Sequence, residues 1–511
     1  MPRYAAIDIG SNSVRLLVGD YLPGGPLRVL AAEREVTRLG GGVFRSGRIE
    51  DQAIDFLCAQ LSRMCQVIAR HEVLAIRAVA TSAVRDANNQ YEFIARASAA
   101  FGAPIEVISG QEEARLIHLG VTIRWPQPKG RILLVDVGGG SGEITLSEDG
   151  QLQEAFSKPL GAVRLTEVFL QGADPPAAED LHRMVRYIDE KLQPAVERFG
   201  RGNFARMIAT SASAAAIVCA INRVPRARRE EADRLRATKA QVRRFYQDVM
   251  GKSLAQRRQM TGIGPRRAEI IVPGAALYWR VLENFQHHSM YYLAAGVREG
   301  IIADLAARGV GRELSQLSRE QRTVVERLSR RYAVPIKHSR KVAALAHQIY
   351  TAMHDHHRLP PACGKILEAA AYLHDSGHYI SDTSHHKHSE YVIRNADLAG
   401  FTDHERILTA LLCRYHRKAM PQPRHTEYQA LSPDERRILL LLIPLLRLAD
   451  ALDRTNQQLV ESVHIEESGG ALVASVRSHG DSDLDEWAAE RLTDVFQLVY
   501  GKPLEVIRVR T

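Results

Sequence analysis

Two short stretches of the chain place a carboxylate, glycines and hydroxyls where an apolar run turns back on itself. In "AIDIGSNSVRLLV", Asp8 closes the run, Gly10, Ser11, Asn12 and Ser13 follow, and Arg15 precedes the return of the apolar pattern. In "LLVDVGGGSGEITL", Asp136 is followed by Gly138, Gly139, Gly140 and Ser141, then by Glu143. Setting Asp136 on Asp8 puts Gly138 on Gly10, Ser141 on Ser13 and Glu143 on Arg15. Glycines let a backbone turn tightly and present consecutive N–H groups as an anion-binding nest. Serine hydroxyls add donors, and an aspartate at a strand end can hold a hydrated divalent cation against phosphate oxygens. One such loop is usually only a turn. Two in register point to a cleft that grips phosphates from both sides.

The elements needed to position these loops repeat as well. "LAIRAVATSAVRDA" and "FARMIATSASAAAI" set Thr81-Ser82 on Thr210-Ser211. Before each lies an amphipathic helix: Ile54, Leu57, Cys58, Leu61, Met64, Cys65 and Ile68 in one half, Leu181, Met184, Val185, Ile188, Leu192 and Val196 in the other. Each half reads hairpin, strand, helix, strand, small-residue turn, helix, a duplicated α/β unit. In "VISGQEEARLIHLGV", Ser109 and Glu112 have the spacing of a capping box, so Glu112 is expected to serve the helix cap. Glu113, about 100° further round the helix, is then free to face the cleft. Glu143 alternates with apolar positions and points to one face of its strand.

These loops resemble the phosphate loops of the actin, sugar-kinase and heat-shock ATPase superfamily. Within it, "AIDIGSNSVRLLV", "ATSAVRDANN", "VISGQEEARLIHLGV", "LLVDVGGGSGEITL" and "PRRAEIIVPGAALY" are similar, in order, to the exopolyphosphatase and guanosine pentaphosphate phosphohydrolase (Ppx/GppA) family. The resemblance implies a two-lobed, actin-like or sugar-kinase-like α/β fold that hydrolyses a terminal phosphoanhydride with Mg2+ or Mn2+. It implies Glu113 as the base that activates water, and Asp136 and Glu143 at the metal and the attacking water. Residues Gly10, Ser11, Asn12, Ser13, Gly138, Gly139, Gly140 and Ser141 would hold phosphate, with Arg15 and Arg85 as clamps whose guanidinium forks match phosphate oxygens. Arg38 is a lesser candidate. Inorganic polyphosphate is the expected substrate, guanosine pentaphosphate the nearest alternative, and a homodimer the expected assembly. One departure is "ATSASAAAI", with Ala209, Ala212 and Ala214 where many relatives carry glycines; it bears on chain-length or nucleotide preference.

Beyond "YYLAAGVREGIIADLAARG" the chain turns to histidine-rich helices. His338, His374-Asp375, His388, His416 and Asp450 follow the order of the metal-dependent phosphohydrolase superfamily named for its His-Asp (HD) pair. That resemblance implies an all-α HD-like domain. It also implies a transition-metal site at His338, His374, Asp375 and Asp450, with His388 and His416 as further candidates. Imidazole and carboxylate together suit borderline divalent ions. In many relatives this helical domain carries no working metal centre and extends the substrate channel instead. His385, His386 and Lys387 are expected, with the basic run from Ile221 to Phe245, to bind a long polyanion by charge. The last fifty residues read as a small α/β cap: strand, Gly-Gly turn, strand, a helix from Leu484 to Val499, strand. The expected domains are 1–123 and 124–310 for the lobes, 311–458 for the helical domain and 459–511 for the cap.

Composition agrees with a polyanionic partner. The 511 residues carry a net charge of +9, and the Ile221–Phe245 run alone has nine Arg or Lys against three Asp or Glu. No run approaches eighteen apolar residues, so no membrane span is expected. The chain enters a strand by its fourth residue, so no signal peptide is expected. Five scattered cysteines (Cys58, Cys65, Cys219, Cys363 and Cys413) suggest a reducing cytoplasm. A non-catalytic polyphosphate- or nucleotide-binding regulator is the rival from another class; Glu113, Asp136 and Glu143 argue against it.

Overall fold

The apolar run around Asp8 forms β1 (Arg3–Ile9), and the run after the loop forms β2 (Val14–Asp20). They pair antiparallel with Asp8 opposite Arg15. A computed structural model describes residues 1–126, 129–309 and 315–509 of this chain, and it divides into two compact units, 1–308 and 309–511.

In the first unit, β3 (Arg28–Glu35), β4 (Ala75–Ala80) and β5 (Ile105–Val107) complete a five-stranded sheet ordered β3-β2-β1-β4-β5. Tyr4 to Ile9 are all buried, as a central strand covered on both faces requires. The helix Asp51–Ala69 buries Ile54, Leu57, Leu61, Met64 and Ile68, the periodic positions of the sequence, and carries the chain from β3 to β4, which runs parallel to β1. The second half builds β6 (Arg131–Val137), β7 (Gly142–Glu148), β8 (Gln151–Lys158), β9 (Arg206–Thr210), β10 (Arg236–Thr238) and β11 (Ser289–Tyr292), ordered β10-β11-β9-β6-β7-β8. Here Asp136 lies opposite Glu143, and β9 runs parallel to β6 as β4 does to β1. Even the turns match: Gly10 N donates to Ser13 O at 3.1 Å, and Gly138 N to Ser141 O at 3.0 Å. The duplicated α/β architecture is present, and the second copy adds a sixth strand.

A shared apolar cluster joins the copies: Ala6, Leu17 and Val79 from the first, Ile132, Leu134 and Ile208 from the second. Helices Gly110–Arg124 and Val297–Gly309 contribute Leu116, Ile117, Ile301 and Ile302 to it. The two helices meet at glycines. A Cβ on Gly300 would lie 1.8 Å from Leu116 O, and one on Gly120 would lie 2.3 Å from Gly296 O. That contact fixes the helix bearing Glu113.

The second unit is built of helices, among them Arg319–Arg331, Ile336–Ala352, Cys363–Leu373, His385–Arg394, Asp403–Arg414 and Pro433–Ala451. Then come β12 (Val460–Ser468), β13 (Ala471–Ser478) and β14 (Leu504–Val509), which form a three-stranded sheet in that order. One core runs through helices and sheet, from Val325 and Leu345 to Val476, Phe496 and Leu504. The expected helix Leu484–Val499 is two, Asp483–Glu490 and Thr493–Tyr500.

Candidate active site

The two glycine loops face each other. A Cβ on Gly139 would come within 2.8 Å of Ser11 Cβ, and one on Gly140 within 2.2 Å of Ser82 Oγ. Backbone amides hold the loop carbonyls from behind: Gly40 N donates to Ser11 O, Arg38 N to Asn12 O, Ala162 N to Gly138 O and Val163 N to Gly139 O. With the carbonyls tied back, the anion-binding capacity of the loops rests with their N–H groups and hydroxyls. Arg164 ties the halves together, donating to Gly140 O at 2.6 Å, pairing with Asp86 and lying 4.0 Å over the Phe44 ring.

Between the loops is a cavity of about 90 Å³, lined by Asp8, Gly10, Ser11, Asn12, Ser13, Arg15, Glu113, Asp136, Gly138, Gly139 and Ser141. Thr81, Ser82, Ser211 and Arg267 also line it. Ser211 takes φ 86°, a left-handed conformation unusual for a residue with a Cβ, at the start of the alanine-rich helix Ser211–Ile221. Its Oγ lies 3.2 Å from the Tyr278 hydroxyl and accepts from Ser213 N and Ala214 N.

Ser109 caps the helix Gly110–Arg124, accepting from Glu112 N at 3.2 Å. The Glu112 carboxylate is engaged by Arg115 at 2.7 and 2.9 Å and by Arg77 at 3.2 Å, in a buried network with Asp304. Glu113, one residue on, faces the cavity. It is 7% exposed, its Oε2 has no hydrogen-bond partner among the described residues, and Arg85 lies 3.6 Å from that oxygen. Burial, then the nearby Glu143 carboxylate, push its pKa well above the usual carboxylate range, against the pull of Arg85. Glu143 is itself pushed up to about 7 by burial and by Asp136, while Ser157 donates to its Oε1 at 2.8 Å. Glu143 Oε2 is also buried without a hydrogen-bond partner among the described residues, and Glu143 is not among the residues that line the cavity. Burial raises Asp8 and Asp136 too, and the Thr210 hydroxyl donates to Asp136.

Three buried carboxylates, the half-buried Asp136 and two orphaned oxygens make a site that a divalent cation fits. Asp8 and Asp136 open onto the cavity. Among the described residues, groups of three ligand atoms within 4.8 Å of one another occur in the second unit, not here. A cation in this cleft would therefore rest on one or two carboxylates, with water and phosphate oxygens completing its shell, as Mg2+ commonly does.

Arg15 lines the cavity, with Nε donating to Ser13 Oγ at 3.3 Å. Arg85 is turned differently from its expected role as a phosphate clamp. It donates to Ile108 O at 2.7 Å and faces Glu113, so its charge acts on that carboxylate. Arg38 pairs with Glu269 at the surface.

Two further cavities adjoin the first, of about 280 and about 480 Å³. The larger is walled by Arg34, Arg226, Arg229, Arg266 and Arg267. Burial lowers Arg267 to about 9 and Arg34 to about 10, with Arg15 and Arg229 among the neighbouring charges that add to both shifts. Guanidiniums crowded this closely call for an anion. The "PRR" wording around Arg266 and Arg267 and part of the basic run pointed here from sequence. The basic run from Ile221 to Phe245 is not one charged face: Arg226 and Arg229 line the cavity, Arg228 pairs with Glu231, and Arg243 lies over Trp279.

In the second unit, His338, His374 and Asp450 come together, and Asp375, His385 and His416 form a second group. His388 does not join them. It sits on the helix His385–Arg394 one turn beyond His385, and the helix start is what turns inward, leaving His388 half-buried. For the same reason His385 and His386 are buried, 2% and 7% exposed, rather than forming a polyanion-binding surface.

Comparison with known proteins agrees with this architecture. The model of the Ppx/GppA phosphatase family matches residues 18–308, and that of Ppx/GppA phosphatase domain III matches residues 320–478. A Ppx/GppA family member of Aquifex aeolicus superposes with TM-score 0.53 at 26% identity, over 61% of this chain and 99% of its own. An exopolyphosphatase from Cytophaga hutchinsonii gives TM-score 0.56 at 25% identity, over 60% and 99%. An exopolyphosphatase-like protein gives TM-score 0.56 at 28% identity, over 60% and 98%. Facing glycine loops on a duplicated α/β frame, with a buried glutamate between them, thus coincide with a family match across most of the chain: the protein belongs to the Ppx/GppA phosphatase family, hydrolases of phosphoanhydride bonds.

Proposed function

We propose that the cleft of the first unit removes the terminal phosphate of inorganic polyphosphate. The observation that carries the choice of substrate is the arginine-walled cavity leading from the loops, which has no aromatic ring among its lining residues. A linear polyanion satisfies such a wall along its length, whereas a guanine base would find no stacking partner there. Tyr292 lines the smaller cavity, but its hydroxyl lies 3.4 Å from Arg229 and its ring lies beneath that guanidinium.

The loop amides and hydroxyls, with Arg15, hold the terminal phosphate. Glu113 takes a proton from water as the water oxygen attacks phosphorus, and the bridging oxygen leaves with the shortened chain. Arg85 and Glu143 set the proton affinity of Glu113 from opposite directions. Phosphoryl transfer asks mainly for positioning and neutralised charge, and this cleft is built for both. Asp8 and Asp136 would hold Mg2+ or Mn2+, which supplies charge neutralisation at the phosphoryl oxygens. Among the described residues no helix is long and apolar enough to cross a membrane. Five free cysteines support a reducing, cytoplasmic setting.

Phosphate release from long polyphosphate and from guanosine pentaphosphate, assayed side by side with Mg2+, tests this reading. Polyphosphate is expected to show the higher kcat/KM. The reverse preference would assign the cleft to the nucleotide, and binding without hydrolysis of either would make the protein a regulator.

A further inference from the structure

We propose that Tyr278 is a positioning residue of the cleft: its buried hydroxyl clamps the Thr210–Ser211 turn and so aims the Thr210 hydroxyl at Asp136. The inference rests on the reading of Asp136 as a ligand of the divalent cation, and its test separates the two.

Tyr278 lies on the helix Ile271–Asn284 and is fully buried, a setting in which a phenol needs hydrogen-bond partners. Its hydroxyl donates to Thr210 O at 2.6 Å. A carbonyl only accepts and a phenol has one proton, so that proton is committed. The Ser211 hydroxyl, 3.2 Å away, therefore donates to the phenolic oxygen. Ser211 Oγ in turn accepts from Ser213 N at 3.2 Å and Ala214 N at 3.3 Å. It thereby satisfies two of the N–H groups that the start of the helix Ser211–Ile221 leaves without intrahelical partners. Thr210 is fully buried as well, and its Oγ1 donates to Asp136 Oδ2. One chain of contacts thus runs from the Tyr278 helix, through the turn, to the carboxylate at the end of β6.

The turn needs holding because Ser211 carries a Cβ at φ 86°. The aligned Ser82 of the first copy begins the helix Ser82–Arg85 without a left-handed φ, so the duplicated frame does not impose the conformation. Such a residue persists only where its surroundings fix it. Tyr278 does so from both sides of the peptide, through the Thr210 carbonyl and the Ser211 hydroxyl. Gly274 brings it there. It stands four residues before Tyr278 on the same face of the helix, and a Cβ on it would lie 3.1 Å from Ser213 Cβ. Close approach and hydroxyl therefore meet the same turn. Phenylalanine would pack in the same space; the oxygen is what the turn uses.

Tyr278→Phe keeps the ring and removes that oxygen. Phosphate release by the full-length protein, from whichever of the two substrates it hydrolyses, is expected to need about tenfold more Mg2+ for half-saturation, with KM for substrate little changed. Thr210→Val should give the same rise. Tyr278→Phe added to Thr210→Val should change it by no more than about twofold, because the tyrosine acts through the threonine. Ser211→Gly added to Tyr278→Phe should recover most of the loss, since glycine takes this φ without a Cβ penalty. A crystal structure of Tyr278→Phe should show Ser211 out of the left-handed region and Thr210 Oγ1 turned from Asp136. An unchanged Mg2+ dependence in Tyr278→Phe beside a shifted one in Asp136→Asn would overturn the proposal. So would a full effect persisting on top of Thr210→Val, or an unmoved turn in the crystal, and a missing recovery would overturn the part given to Ser211. An unshifted Mg2+ dependence in Asp136→Asn would instead strike the metal reading, and the crystal structure would then decide the clamp by itself. Should Tyr278→Phe fail to fold, Thr210→Val decides in its place, and an unshifted Mg2+ dependence there would count against the proposal.

Discussion

Glu112 and Glu113 are chain neighbours with opposite surroundings. Burial raises the pKa of Glu112, but Arg115 and Arg77 outweigh it and hold the carboxyl below its usual range. Burial also raises Glu113, and a second carboxylate adds to the rise. A general base needs a proton affinity raised above that of an ordinary carboxylate, and of the two glutamates Glu113 is the one shifted upward. Glu113→Gln is expected to lower kcat on the order of a hundredfold or more, a typical general-base contribution, with polymer binding retained. Glu112→Gln removes a charge from a buried network and is expected to cost about 3 kcal/mol of stability, measured by urea unfolding. A folded, inactive Glu112→Gln beside an active Glu113→Gln would reverse the two roles.

At the scale of elements, close backbone approaches aim the loops. Gly161, at the start of the helix Ala162–Phe169, lies beneath the second loop: a Cβ there would sit 2.2 Å from Gly139 O and 2.3 Å from Gly140 N. Those are backbone atoms, so no side chain can rotate out of the way. Gly161→Ala is expected to cost about 1–3 kcal/mol by overpacking and to push Gly139 toward Ser11. The measurable result is a fall in kcat with an unchanged circular dichroism spectrum. Full activity would show that the helix, not the loop, yields.

At the scale of the whole molecule, the buried carboxylates link metal, pH and stability. The folded-state pKa of Glu143, about 7, lies above its ordinary 4.5, and Glu113 shifts the same way. A carboxyl raised by folding favours the folded state fully below its ordinary value, and that contribution is lost as pH rises through the folded value. Metal-free protein should therefore show a melting transition of the first unit that falls between about pH 4.5 and somewhat above 7. Mg2+ should offset the fall at the upper end, because it binds the ionised carboxylates of the folded state only. Glu143→Gln should flatten the profile. A melting temperature indifferent to both pH and Mg2+ would mean that these carboxylates are not confined as described.

The sequence by itself determined the duplicated α/β frame, because strand and helix periods are local properties and the same local pattern occurs twice. It also determined the facing loops, since glycine and serine at fixed offsets from a strand-end aspartate make the same turn in both copies. Glu113 was legible for a similar reason: a helix start fixes which of two adjacent residues turns toward the loops. Only the tertiary structure decided what lies across from what. Arg34, the Arg226–Arg229 pair and Arg267 come from three separate elements, and no spacing along the chain relates those elements. Arg85 became a partner of Glu113 because of where the Ile108 carbonyl lies, and the Glu112 carboxylate pairs with Arg77 and Arg115 across the fold. His385 displaced His388 as a ligand candidate because Gly377 lets two backbones touch, a contact that no residue pattern encodes. Periodicity fixes the direction of a side chain within its own element, whereas convergence depends on how elements stack, and stacking is settled by packing across the whole core.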